Sequence, residues 1–216
     1  MRYRDGDFRH FVIVKKIVMR LVLALFAAAL VLVGASSLGA SSAVAAPTAP
    51  EALIQALGNE ATAIAQDASL GDDGRTERFR GILAKNMDTE AMAQVALGRF
   101  WAKATDAERQ AYVAAYREYL IRVYGRRLRD LGQSRVEVAG SRAVGPGDTV
   151  VDTRLISGPD AFPISFRVLE RNGANLIIDV LAEGTSILVT QREEFAAVVK
   201  ATGGIAGLTA KLQSIQ

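Results

Sequence analysis

No cysteine occurs in the 216 residues, and the only histidine is His10. These two absences exclude a disulfide framework, a thiol nucleophile and, outside the N-terminal segment, a Ser-His-Asp triad, an imidazole acid or base and a His or Cys zinc site. Carboxylates, tyrosines and arginines remain as the chemically active groups. Positive charge is also scarcer than the formal +3 suggests, because residues 1–45 hold six Lys/Arg against two Asp/Glu. The rest carries 20 basic and 21 acidic residues. It has no global field to draw it onto phosphates or an anionic bilayer, so nucleic acid is not an expected partner. At 50% hydrophobic and 23% charged, the chain is rich enough to bury a core and is not a disordered polypeptide.

The N-terminal region reads as an export signal. Leu21 to Val33 is a run of 13 apolar residues, preceded by Lys15, Lys16 and Arg20 and followed by small residues from Gly34 to Ala46. Ala43-Val44-Ala45 satisfies the small-x-small rule, which places cleavage after Ala45 and makes 1–45 a signal and 46–216 the mature domain. The alternative is an uncleaved anchor, since no charge appears between Leu21 and Pro50, a stretch long enough to span a bilayer. Met19, directly before Arg20, would also open a compact signal. Either way the functional part is expected outside the cytoplasm, as a monomer.

Beyond the Pro47 to Pro50 linker, Leu53, Ile54, Leu57, Ala61, Ile64 and Ala68 recur at helical spacing and predict a helix over Glu51–Ser69. Gly71-Asp72-Asp73-Gly74 reads as a turn. A second helix carries Phe79, Ile82 and Leu83 and ends near Asn86, and Asp88 caps a third that ends at Gly98. Thr105 and Glu108 form a capping box before a long periodic segment, predicted as one helix over Asp106–Leu131, about 39 Å long. Tyr116, Tyr119, Leu120 and Val123 fall within about 80° of Tyr112 on its helical wheel. Arg122, Arg126 and Arg129 share another face, and Glu118 stands four residues before Arg122 for an ion pair.

After Gly132 the period shortens to two. Strands are expected at Arg135–Ala139, Thr149–Ile156, Pro163–Glu170 and Asn175–Leu181, with Asn172-Gly173 as the hairpin turn between the last two. Alternation puts Val151, Thr153, Leu155, Ile164, Phe166, Val168, Ile178 and Val180 on one face. Thr190 and Glu193 suggest a capping box for a helix to about Ala201, and Ile205–Ser214 a terminal helix. Helices followed by an antiparallel meander predict an α+β domain, its helices stacked on one face of a twisted antiparallel sheet.

Several segments are more specific than this pattern. Ala96-Leu97-Gly98-Arg99-Phe100-Trp101, Ala104-Thr105, Tyr116-Arg117-Glu118-Tyr119-Leu120 and Tyr124-Gly125 resemble the MlaC, or toluene-tolerance, family of periplasmic phospholipid-binding proteins. So do Ile178-Asp179-Val180, Ala182-Glu183-Gly184-Thr185-Ser186, Thr190-Gln191-Arg192 and Gly203-Gly204-Ile205. The resemblance implies an NTF2-like fold whose helical layer encloses an apolar pocket. It also implies a carrier that shuttles phospholipid between inner and outer membranes. The implied partners are an inner-membrane MCE-protein and ABC-transporter complex and an outer-membrane lipoprotein–porin complex. No cofactor, metal or catalysis is expected.

The residues expected to line the pocket are Trp101, Tyr112, Tyr116, Tyr119, Leu120, Val123, Val151, Leu155, Phe166, Val168, Ile178 and Val180, with the tyrosine hydroxyls facing a polar rim. Gly98 and Gly125 supply backbone freedom beside it. Two alternatives stay open: a hopanoid or other lipid as cargo, and an isomerase or hydratase with Asp179 as base and Tyr116 stabilising an enolate.

Overall fold

The computed structural model describes residues 48–215. The segment expected to be an export signal, and its expected cleavage site after Ala45, lie outside the described residues. Helix α1, Ala49–Gln66, starts two residues before the predicted Glu51, inside the expected Pro47 to Pro50 linker, because Thr48 and Glu51 form a capping box and Pro50 is tolerated in the first turn. Helix α2 spans Asp72–Asn86. The Gly71–Gly74 cluster read as a turn is instead the start of this helix. Asp72 and Asp73 sit in its first turn, where the partial positive charge of the unpaired amides favours carboxylates. Asp88 caps α3, Thr89–Leu97, by accepting from the Ala91 amide. A 3₁₀ segment, Gly98–Lys103, leads to α4, Asp106–Gly125, which opens on the expected Thr105–Glu108 box.

The long helix is shorter than predicted. Its last six residues, Arg126–Leu131, tighten into 3₁₀ geometry. Glu118 pairs with Arg80 of α2 through a bidentate contact, and not with Arg122. Arg122 donates from Nε to the Ile215 carbonyl at 2.8 Å and from a terminal nitrogen to the Leu212 carbonyl at 2.7 Å. It therefore satisfies the carbonyls at the end of the last helix and is not part of a free cationic face.

The strands are β1 Arg135–Gly145, β2 Asp148–Ser157, β3 Asp160–Arg171, β4 Ala174–Ala182 and the two-residue β5 Thr185–Ser186. Neighbours in sequence pair antiparallel throughout, in the order β1-β2-β3-β4-β5. Asn172 (φ 54°) and Gly173 (φ 77°) make the expected hairpin turn between β3 and β4, both central residues having positive φ. Helix α5, Ile187–Thr202, begins earlier than its predicted capping box: Ser186 is the cap, accepting from the Val189 amide, and Thr190 lies inside the helix. Helix α6 is Ile205–Ser214.

Cross-strand partners share a face, so the register defines apolar rows across the sheet. Val136, Leu155 and Phe162 form one; Val138, Thr153 and Ile164 the next; then Ser141, Val151, Phe166 and Val180; then Thr149, Val168 and Ile177. This face meets α1, α2 and the 3₁₀ segment Arg126–Leu131 in one core. There Ile54, Leu57, Ile64, Ile82 and Leu128 pack with Val151, Val168 and Ile177. Among the described residues, no single helix is long and apolar enough to cross a membrane.

Candidate functional site

The sheet face is covered unevenly. Val151, Val168 and Ile177 are fully buried at 0% exposure, whereas Val136, Leu155, Phe162, Ile164, Phe166 and Val180 stay half-buried. An apolar surface runs from the closed core toward solvent, with no charged side chain in its rows. The opposite face is ionic. Arg167 holds Asp148 through two nitrogens, Arg142 and the Ser165 hydroxyl engage Asp152, and Glu137 lies between Arg135 and Arg154. The Ser165 hydroxyl, ahead of Arg142, holds the Asp152 carboxyl below its usual range. One face thus suits hydrocarbon and the other water, which is the segregation expected of a sheet with helices on one side.

Five of the sequence-predicted residues, Val151, Leu155, Phe166, Val168 and Val180, come together on this face. Ile178 does not. A bulge between Arg167 and Val168 in the β3–β4 pairing makes Ile178 the extra residue and puts Ile177 opposite Val168. Strict alternation along β4 therefore slips by one position at the bulge. Val136, Val138, Phe162 and Ile177 also belong to the face, in addition to the residues expected there. The period-two pattern of Val136 and Val138 was the available signal.

The tyrosine stripe lies elsewhere. Tyr112, Tyr116 and Tyr119 surround Phe195 of α5 with ring centroids 6.1–6.4 Å away, all edge-on. The Tyr112 hydroxyl donates to the Ala93 carbonyl at 3.2 Å, and the Tyr116 hydroxyl to Gln191 Oε1 at 2.7 Å. Both hydroxyls are spent inside a helix–helix core and not at a polar rim, a correction to the expected placement. Burial pushes both phenols well above their ordinary pKa. Leu120 is buried on the same helix and Val123 is half-buried. An aromatic stripe at helical spacing reports burial, and here the partner is another helix. Trp101, in the 3₁₀ segment, is half-buried under the Arg109 guanidinium, 5.3 Å from its ring centroid, and Arg109 Nε donates to its carbonyl.

Asp179, the candidate base, accepts from the Val180 amide at 2.8 Å, the Ser186 hydroxyl at 2.5 Å and the Leu188 amide at 3.4 Å. Its two oxygens tie the end of β4 to the start of α5. With the Tyr116 hydroxyl bound to Gln191, both groups of the isomerase alternative are engaged in structural hydrogen bonds. Among the described residues, no three His, Cys, Asp or Glu side chains gather to hold a metal ion. The surface can act by burying apolar groups.

The same fold occurs in a solved structure, that of a phospholipid-binding protein from Ralstonia solanacearum in complex with a phospholipid. The two superpose with a TM-score of 0.66 at 22% identity, over 74% of this chain and 93% of that one. The likeness confirms the α+β fold, with helices against an antiparallel sheet. The family model described as MlaC protein matches residues 51–214, from the first turn of α1 to the end of α6, and so the chain belongs to the MlaC family.

Proposed function

We propose that this protein is a periplasmic phospholipid carrier that takes acyl chains against the apolar face of its sheet. The observation that carries the reading is the uneven cover of that face: closed at Val151, Val168 and Ile177, half-open at Leu155, Phe162, Ile164, Phe166 and Val180. A diacyl lipid exposes about 30 methylenes, and at about 0.8 kcal/mol each their transfer through water is opposed by some 20 kcal/mol. A carrier must therefore supply apolar wall along most of the tails. Family membership and the phospholipid held by the Ralstonia protein support the same cargo.

In this reading the protein moves phospholipid between an inner-membrane MCE-protein and ABC-transporter complex and an outer-membrane lipoprotein–porin complex. It works by burial, with no covalent chemistry. Native mass spectrometry of the protein from an envelope extract, with identification of whatever is released, tests the cargo. Phospholipid at one molecule per chain is expected. A hopanoid as the bound species, or protein that stays empty when incubated with phospholipid vesicles, would overturn it.

A further inference from the structure

Where Ile54, Leu57 and Ile82 pack on Val151, Val168 and Ile177, acyl chains gain room as the two layers part. The contacts along β1, an edge strand of the sheet, identify the seam. Glu51, Gln55, Gly58 and Thr62 recur on α1 at steps of four, three and four, which places them in one stripe. The Ser141 hydroxyl, ahead of the Thr48 amide, holds the Glu51 carboxyl below its ordinary pKa. Gln55 Nε2 donates to the Val136 carbonyl at 3.1 Å, while its Oε1 accepts from the Val138 amide at 3.5 Å. A Cβ on Gly58 would stand 2.6 Å from Val136 Cβ. Thr62 Oγ1 donates to the Ser134 carbonyl at 3.3 Å.

As α1 advances from 51 to 62, its partners retreat along β1 from 141 to 134, so the helix lies antiparallel to the strand along its outer edge. The Gln55 amide presents a donor and an acceptor to residues two apart, as a neighbouring strand would. A helix thus covers the strand edge that the sheet leaves unpaired. Beside this polar stripe, Ile54 and Leu57 reach into the core of Val151, Val168 and Ile177.

We propose that lipid enters and leaves through this α1–β1 seam, with α1 as the moving wall and its polar stripe as the latch. The proposal rests on the phospholipid-carrier reading. An acyl chain that displaces Ile54 and Leu57 from Val151 and Val168 replaces apolar contact with apolar contact. The latch bonds are part-exposed, so water takes over their donors and acceptors as they open. Opening inside the sheet would instead break a continuous backbone ladder. The far end of α1 is tied down: Asp67 accepts from the Ser69 amide and hydroxyl, and Arg75 of α2 donates to the Asp67 carbonyl. That end is the pivot. The other helices are pinned to one another, α2 to α4 by Arg80–Glu118 and by the close approach of Gly125 to Thr76, α4 to α6 by Arg122.

The test uses the full-length protein, loaded with a fluorescent phosphatidylethanolamine and mixed with phosphatidylethanolamine–phosphatidylglycerol vesicles. Gln55→Leu combined with Thr62→Val removes the latch bonds at similar side-chain size, and Gly58→Ala wedges the helix off Val136. Either change is expected to speed transfer about tenfold and to raise deuterium exchange of the α1 amides while those of β2–β4 keep their protection. Tyr116→Phe, which loosens the helical core, should leave the transfer rate unchanged. Wild-type transfer rates in both latch variants, or α1 amides that exchange only in step with β2–β4, would overturn the proposal. If the wild type accepts no phospholipid at all, the carrier reading falls, and deuterium exchange still decides whether α1 opens independently.

Discussion

Two carboxylates illustrate how far a residue's role depends on its surroundings. Asp179 accepts three hydrogen bonds at the junction of β4 and α5, where the unpaired amides of the helix start favour negative charge. Asp179→Ala should cost about 2–3 kcal/mol, read as a lower urea midpoint at unchanged slope, and Asp179→Asn less. Lipid occupancy of the folded Asn variant should match the wild type. Turnover of a lipid that this change removed would revive the enzyme alternative. Glu194 of α5 is half-buried beside Tyr119 and Tyr124, and desolvation raises its pKa from 4.5 to about 7. The folded state holds this proton more tightly than the unfolded chain. Its contribution is complete below about pH 4.5 and is lost as pH rises through about 7. Glu194→Gln should flatten that part of the stability–pH curve and stabilise the protein at pH 8 by about 1–2 kcal/mol, discounted for the solvent that reaches the group. Parallel wild-type and variant curves between pH 4.5 and 8 would refute the assignment.

At the scale of elements, the glycines expected to lend mobility serve close packing. Gly98 ends α3 with φ at 57°, and a Cβ there would lie 2.9 Å from the Arg192 methylenes of α5. Gly98→Ala combines left-handed strain with that contact and should cost about 1–2 kcal/mol in thermal or urea unfolding. Gly125 has ordinary helical angles, φ −60° and ψ −45°. What it provides is approach, since a Cβ would come within 3.1 Å of Thr76 Cα. Caps were legible where a side chain and its amide are neighbours, as at Asp88 and Thr105. The Thr190–Glu193 box was misplaced because Ser186, held by Asp179 from another strand, starts α5 earlier.

For the whole molecule, the proposed function rests on one sheet face being apolar and incompletely covered. Phe166→Asp puts a carboxylate on the half-buried part of that face, where leaving it unpaired against acyl chains costs several kcal/mol. Co-purified phospholipid should fall below detection while circular dichroism stays native. Retained lipid at wild-type stoichiometry would place the cargo elsewhere. Val151→Asp is the harsher change, since Val151 is fully buried and the folding of the core is at stake with it.

The six α-helices and four long strands of the described residues, their order and the Asn172-Gly173 hairpin followed from the sequence alone, because periodicity, capping residues and positive-φ turns are encoded within a few residues of one another. Family resemblance followed as well, from motifs spread over both halves of the chain. Tertiary structure decided what each buried face meets. Tyr112, Tyr116 and Tyr119 announce a buried stripe, yet only packing shows that Phe195 fills it and that the sheet does not. Glu118 could pair along its own helix, but Arg80 reaches it from another. The β4 bulge exchanges Ile178 for Ile177, and a single unpaired residue leaves no periodic trace. Gln55 and Thr62 look like solvated helix positions until β1 lies against them. In each case the energy comes from contact between segments distant in the chain, which local sequence pattern does not contain.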